Sequence, residues 1–345
     1  VRARRVVIHE AGGHEKLRIE PFAVPPPAST EVVVEVKASG VNFADTIVRM
    51  GLYASAKEYV GWPITPGFEV SGVVVSVGAA ASDLAPGDAV FAVTLFNGYT
   101  SHLVVDRSYV FRKPEALGFA EAAALPSVFM TAWYALFELA HPRKGQKLLV
   151  HSAAGGVGCA LVQLAKIAGC EVTAVVGASH KVETVRRLGA DHVIDKGSVP
   201  LWREARRVAP GGFDVVLDAN GVSTLKASYE HLAPAGKLVV YGFHSMLPKS
   251  GGRPSWPKLA FDYVRTPRFN PLDLTNDNKS VLAFNLSYLF ERKELLAEAI
   301  GQMLGWLEAG KLVPLPVVSY PMGDVARAHA DIESGTTVGK LVLVP

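Results

Sequence analysis

Lys147–Ala165 reads KLLVHSAAGGVGCALVQLA, and the rest of the chain arranges itself around it. Leu148, Leu149 and Val150 make a short apolar run suited to a buried strand, and Ser152 to Gly158 is a turn of small residues. From Val157 the apolar positions return at helical spacing through Leu161, Val162, Leu164 and Ala165. Strand, glycine turn and helix are the opening of a dinucleotide-binding βαβ unit. Ala153-x-Gly155-x-x-Gly158 is the GxGxxG spacing with alanine first. Gly155 lets backbone N–H groups approach a pyrophosphate, and Gly158 lets the helix lie close to the strand. The helix N-terminus then faces the phosphate charge.

A second strand follows over Glu171–Val176, and beyond it comes Val176-Gly177-Ala178-Ser179. About 20 residues past the turn, proteins selective for the unphosphorylated cofactor place an acid on the ribose 2′-hydroxyl. This stretch has none. Ser179 offers a hydroxyl and Lys181 a cation, which suits a 2′-phosphate and so NADPH. The competing reading of the two residues is a helix N-cap and a solvated lysine.

At 345 residues the chain is long for one core and predicts two domains. With 49% hydrophobic residues, 32 glycines and 22 prolines it reads as a globular α/β protein. A net charge of +3 gives no reason to expect a nucleic-acid partner, and the arginine groups 186–187 and 203–207 read as solvated helix faces. Two cysteines, Cys159 and Cys170, make neither a disulfide framework nor a zinc cluster, which suits a reducing, cytoplasmic setting. The apolar segment Ala122–Phe137 is short of a membrane span and carries Pro126, so it reads as a buried helix. The chain starts at Val1 rather than Met, which leaves excision from a longer protein open.

Short strands with glycine turns fill the first third: Arg4–His9, Glu31–Ala38, then a turn at Ala38–Asp45 into a short helix, and Thr65–Val90. They predict a small β-rich, barrel-like domain. Beyond Leu117, strand cores at Val172–Val176, Val193–Ile194, Val215–Leu217 and Leu238–Tyr241 alternate with helical segments, the rhythm of a parallel sheet. Asp218–Gly221 and Gly242–His244 then close two strands at the edge where open α/β sheets bind ligands. His244–Asn278, with five prolines, reads as a partly helical excursion, either a lid over the cofactor or an interface element.

GVNFADT (40–46), TPGFEVSGVV (65–74) with PGDAV (86–90), AAALPSVFMTAWYAL (122–136), HSAAGGVG (151–158), LGADHVID (188–195) and GKLVLVP (339–345) together resemble the medium-chain dehydrogenase/reductase superfamily. Within it the chain resembles the zinc-independent quinone oxidoreductase branch. FNLSYLF (284–290) is similar to the group around the synaptic vesicle membrane protein (vesicle amine transport protein) homologues. The resemblance implies a GroES-like β-rich domain over 1–125 and 288–345, and a Rossmann-type doubly wound domain over 126–287. It also implies a cleft between them and a homodimer joined through the edge strand near Val281–Phe284. Zinc-dependent relatives carry Cys at Asn42 and Gly-His-Glu at Gly67-Phe68-Glu69; an amide and a phenyl ring supply neither thiolate nor imidazole, so no metal is expected.

By the same resemblance NADPH would contact Asn42, Thr131, Gly155, Gly156, Val157, Ser179, Lys181, Asn220, Gly242, Phe243, Phe284, Asn285 and Lys340. Where many such reductases have Asn-Tyr, this chain reads Asp195-Lys196; Lys196 replaces the tyrosine by charge, or Asp195 weakens the preference for the 2′-phosphate. Catalytic candidates are Asn42, a donor to the substrate carbonyl, and Tyr53, whose hydroxyl or solvent would protonate the enolate. Asp45 reads as a helix-turn carboxylate and His151 as a satisfied core histidine. Expected substrates are small molecules: quinones or α,β-unsaturated carbonyl compounds, with enoyl or acryloyl thioesters and haloacrylate-type acids as alternatives. Acids or thioesters of CoA would call for basic residues at the cleft mouth, for which Arg49, Lys57 and Arg112 are candidates. A non-enzymatic NADPH-binding protein that contacts lipid or a partner is the reading from another class.

Overall fold

The computed structural model describes residues 3–345. Six strands form a wholly parallel sheet: β1 (Lys147–Val150), β2 (Glu171–Val176), β3 (His192–Asp195), β4 (Phe213–Asp218), β5 (Leu232–Val240) and β6 (Ser280–Ala283). Their spatial order is β3-β2-β1-β4-β5-β6, so the chain reverses direction across the sheet between β1 and β4, where this topology opens its ligand crevice. Leu148 and Val150 enter one core and Leu149 the other, and Val215, Val216 and Leu217 alternate in the same way. Both faces are covered, which is why β1 is apolar at consecutive positions rather than at every second one.

The other half of the fold is a mainly antiparallel, seven-stranded sheet. It runs Val317–Pro321, Lys340–Val344, Glu31–Val41, Glu69–Val77, Ala89–Val93 and Val110–Arg112, with His102–Asp106 also on Glu31–Val41. The two C-terminal strands therefore complete a sheet begun at the other end of the chain. They also account for one departure from the sequence reading. The strand entering at Glu31 does not turn at Ala38; it continues to Val41 because Ser39–Val41 pair with Leu341–Leu343, a partner some 300 residues away. One hydrophobic core runs unbroken from Val32 and Phe91 of this sheet to Phe129 and Leu161 beside the parallel one.

Pro126 starts a helix rather than only interrupting one: it is the first residue of Pro126–Trp133, where its missing N–H costs nothing. Tyr134–Ala140 then widens into a π-helix, which the apolar spacing did not signal. The excursion after β5 holds two helices, Trp256–Arg265 and Pro271–Asp277, neither with a buried residue. Among the described residues no helix is long and apolar enough to cross a membrane.

The helix Gly156–Ile167 follows β1 directly, with Gly155 as its N-cap. A Cβ on Gly158 would stand 2.3 Å from the Ser152 carbonyl oxygen and 2.6 Å from Ala153 Cα, so the close helix–strand approach read from the motif is physical. Both obstacles are backbone and neither can swing aside. Gly158→Ala is expected to cost about 3 kcal/mol, measured by urea unfolding; a loss below about 1 kcal/mol would mean the bend relaxes without strain.

Candidate active site

The crevice is built where the glycine bend meets the C-terminal strand. Gly155 forms a parallel bridge with Gly339, and the Gly339 N–H donates to the Ala154 carbonyl at 2.8 Å. Lys340, next in the chain, is 2% exposed and carries its ammonium into the floor of the cleft. There it donates to Asn42 Oδ1 and, at 2.6 Å, to Glu69 Oε1. Asn42 Nδ2 donates to the same Glu69 oxygen at 3.0 Å, and the Ser127 N–H donates to Glu69 Oε2 at 2.7 Å. Ser127 lies in the first turn of Pro126–Trp133, so a helix N-terminus adds its partial positive charge to the buried carboxylate. Gly40 makes the room, since a Cβ there would lie 2.3 Å from Glu69 Oε1.

Sequence reasoning missed Glu69 as a member of the site. A glycine two residues before Asn42, together with an acid two residues after Gly67, was the available signal.

Asp45 ties the turn at Asn42 to the loop at Gly67 and to Tyr99. Its carboxylate accepts from the Asn42 N–H (2.8 Å), the Gly67 N–H (2.8 Å) and the Tyr99 hydroxyl (3.0 Å). It is thus the helix-turn carboxylate expected from sequence, at the start of Phe43–Arg49, but fully buried. Burial pushes its pKa up to about 7 despite those three donors.

Tyr53 donates to Asn285 Oδ1 at 3.0 Å, which links the N-terminal half to the end of β6. Burial holds its hydroxyl above the usual tyrosine range. Phe68, at the position of a zinc-ligating histidine in other relatives, packs 5.9 Å from the Tyr53 ring and 5.2 Å from Phe96. Among the described residues no group of three or more His, Cys, Asp or Glu is arranged to hold a metal ion.

On the opposite wall, Asp218 at the end of β4 accepts from the N–H groups of Asn220 and Gly221 at 2.8 and 3.1 Å, which fixes their loop. Ser152 donates to Asn220 Oδ1 at 2.9 Å. Asn220 Nδ2, also buried, has no hydrogen-bond partner among the described residues. A bound dinucleotide would satisfy it. Gly242 packs on the same loop, where a Cβ would stand 2.8 Å from the Ala219 carbonyl oxygen, and Phe243 beside it is exposed. Phe284 lies 4.9 Å from Tyr134, and Thr131 donates to its own helix at the Ser127 carbonyl, 2.7 Å away. Gly156 and Val157 are the first two residues of the helix after the bend.

His151 is fully buried, with Nε2 3.0 Å from Ser228 Oγ. Its Nδ1 has no partner, so it is a core histidine only partly satisfied, and burial lowers its pKa to about 4.

At the ribose end the arrangement is more specific than the sequence reading. Lys181 donates to the Gly335 carbonyl at 2.6 Å, and His180 Nε2 meets the Thr336 carbonyl at 3.0 Å, so both stitch the C-terminal loop to the parallel sheet. Ser179 donates to Asp195 Oδ2 at 3.0 Å. Lys196 reaches over Gly177, its Cε 3.8 Å from where a Cβ would be.

One of the basic residues proposed for the cleft mouth, Arg49, is not there, and that reading is corrected. Arg49 is 0% exposed, paired with Glu333 at 2.7 Å; Arg112 is paired with Asp88 at 3.0 Å. A buried guanidinium takes the nearest carboxylate, and here that lies 284 residues away. Lys57 and Arg112 are both exposed, Arg112 in a surface ion pair with Asp88.

The raised Asp45 pKa has a consequence for stability. The folded state holds that proton up to about pH 7 whereas the unfolded chain releases it near 3.8, so this group's contribution falls as pH rises between those values and stays low above them. Asp45→Asn is expected to remove that slope. It should also lower stability overall, because an amide NH₂ then faces the backbone N–H donors. Urea unfolding of both proteins at several pH values from 4 to 8 checks this; parallel curves would disprove it.

Comparison with known proteins matches this geometry. The family profile described as an alcohol dehydrogenase GroES-like domain covers residues 28–134, and that described as zinc-binding dehydrogenase covers 188–343. The synaptic vesicle membrane protein VAT-1 homolog of Danio rerio is 34% identical over 341 residues, 99% of this chain and 69% of its own length. Escherichia coli quinone oxidoreductase complexed with NADPH superposes with a TM-score of 0.86 at 28% identity, over 99% of this chain and all of the other. The CurK enoyl reductase gives a TM-score of 0.85 at 28% identity, covering 100% of this chain and 99% of that one. The two matching family profiles and 34% identity over 99% of the chain make it a member of the medium-chain dehydrogenase/reductase superfamily, alongside the VAT-1 homologues.

Proposed function

We propose that the protein is an NADPH-dependent, zinc-independent oxidoreductase that reduces quinones or the C=C bond of α,β-unsaturated carbonyl compounds. The observation that carries the reading is the unpartnered buried Asn220 amide beside a bend too tight for any side chain at Gly158. Bound there, NADPH supplies the hydride. Asn220 donates to it, the N–H groups at Gly156 and Val157 face its phosphates, and Ser179 and Lys196, with Lys181 behind them, meet the 2′-phosphate. Gly242, Phe243, Phe284, Asn285 and Thr131 shape the nicotinamide end, with Lys340 and Asn42 on its floor.

Zinc independence rests on donor chemistry. The Asn42 amide is bonded to Glu69 and Lys340, and Phe68 offers only a ring. Without a Lewis acid, a plain ketone is poorly activated, whereas a conjugated acceptor spreads the developing charge itself. Asn42 orients the acceptor oxygen and Tyr53 holds the proton that the enolate takes. The burial of Arg49 against Glu333 removes one candidate mouth cation, which favours an uncharged acceptor over a free acid or a CoA thioester. The reading extends to a cytoplasmic homodimer joined through β6, a half-exposed strand that pairs only with β5.

A panel of quinones, enones, enals and enoyl thioesters, followed by loss of NADPH absorbance, tests the activity. Turnover of quinones or enones with NADPH above NADH is expected; tight NADPH binding with no turnover on any would favour a binding protein instead. Tyr53→Phe is expected to lower kcat about a hundredfold with the NADPH KM unchanged; an unchanged kcat would assign the proton to solvent. Asn220→Ala should raise the NADPH KM about tenfold and lower Tm only modestly, because the one side-chain hydrogen bond lost in the free protein is that from Ser152 to Asn220 Oδ1.

A further inference from the structure

The chain beyond β5 crosses from one half of the molecule to the other before its helices begin. Near the sheet, the His244 N–H donates to the Ala219 carbonyl at 3.1 Å and the Ser245 N–H to the Asn220 carbonyl at 2.9 Å, on the very loop that carries the unpartnered amide. The His244 ring lies 4.1 Å from that of Phe43, the residue after Asn42. Leu247 is buried, and Gly251 and Gly252 then turn the chain through φ values of +76° and +64°, which favour glycine. At the far end of the helix begun by Phe43, Arg49 Nη2 donates to the Gly252 carbonyl at 2.8 Å. A Cβ on Gly252 would touch His14 Nε2 at 2.7 Å, and Arg253 pairs with Glu15 at 2.6 Å.

Arg49 is no ordinary surface contact. Its guanidinium is fully buried and meets Glu333 Oε1 (2.7 Å), the Gly12 carbonyl (3.2 Å), His329 Nδ1 (3.3 Å) and the Gly252 carbonyl (2.8 Å). Glu333 Oε2 is in turn 3.0 Å from His14 Nε2. Lifting residues 243–254 away would strand one N–H of a buried cation, so the contact resists opening until water reaches it. Lys249, midway along, adds a charge that lowers the Lys196 ammonium, below the usual lysine range mainly through desolvation. Like charges brought together at this edge are relieved by an anion between them.

We propose that residues 243–254 are a strap closed across the dinucleotide site, and that Arg49 is the positioning residue that latches it and sets how fast NADPH leaves. The inference rests on the cofactor reading above. The strap explains why Asn220 is walled on one side by Ser245 and why a buried arginine serves a carbonyl from the other half of the fold.

Limited trypsin digestion reads the strap directly, because Lys249–Ser250 lies within it and Arg265–Thr266, on the exposed helix beyond, serves as internal reference. Saturating NADPH is expected to slow cleavage at Lys249 about tenfold relative to Arg265. Arg49→Lys keeps the charge beside Glu333 but loses the fork that reaches Gly252. It should speed both Lys249 cleavage and stopped-flow NADPH release about tenfold, with kcat changing only if release limits it. Glu15→Ala, at the exposed end of the latch, should do the same about threefold, and decides the matter should Arg49→Lys not fold.

NADPH release at the wild-type rate in the folded latch variants would overturn the proposal. So would NADPH that binds, by fluorescence titration, yet leaves Lys249 as susceptible as before. Failure of NADPH to bind at all would remove the cofactor reading together with the strap.

Discussion

A carboxylate shut away from water governs the shape of the cleft. Glu69 is 0% exposed, and an ionised carboxylate in such a place survives only if every lone pair is engaged. Lys340 and Asn42 engage one oxygen, the Ser127 N–H and its helix the other. These partners come from the last strand, the first helix and the helix that opens the path to the parallel sheet. Such a cluster adds little net stability, since desolvation offsets most of the attraction, but breaking it would cost about 3–5 kcal/mol. What it supplies is register: three elements distant in sequence meet at one point, and the amide of Asn42 is aimed before any ligand arrives.

The same end of the molecule is stitched twice more. Gly339 bridges Gly155 on one side of the C-terminal loop, while Lys181 and His180 hold the Gly335 and Thr336 carbonyls on the other. The loop that delivers Lys340 is thus clamped to the parallel sheet although its strand belongs to the antiparallel one. One consequence falls on cofactor preference. Lys181 has given a hydrogen bond to the scaffold, and Ser179 already donates to the Asp195 carboxylate, which would leave Lys196 the least committed of the three proposed 2′-phosphate contacts. On the proposed reading, a preference for NADPH would rest on a balance of Lys196 and Asp195 rather than on a dedicated cradle.

Much of the fold was legible because its signals are local. Strand, glycine bend and helix follow one another within about 20 residues, and the continuous apolar run Leu148–Val150 announced a strand buried on both faces. That Asn42 and Phe68 offer neither thiolate nor imidazole is plain from their identity. What stayed hidden depends on partners far along the chain. The strand that runs on to Val41 needs Leu341–Leu343, and nothing near Ser39 shows it. Arg49 on a short helix looks like any surface arginine until Glu333 is brought against it. The π-helix at Tyr134–Ala140 changes no residue spacing that a periodicity argument reads. Lys340 was reached through family resemblance, not through any feature of GKLVLVP.

The distribution of spent charge also bears on what the cleft accepts. Around Asn42 the charged groups are committed in pairs: Lys340 to Glu69, Arg49 to Glu333, and Asp45 held neutral or nearly so by burial below about pH 7. Against them stand Tyr53, Phe68 and Phe96, packed edge to face. An anionic acceptor would surrender its hydration here to groups already paired with one another, a loss larger than any gain from ring contacts. A flat, uncharged, conjugated molecule gives up little water, packs on the aromatic wall, and needs a single donor for its oxygen. Asn42 and Tyr53 are the donors proposed for that oxygen, so the chemistry proposed for the site follows from the charges it has already consumed.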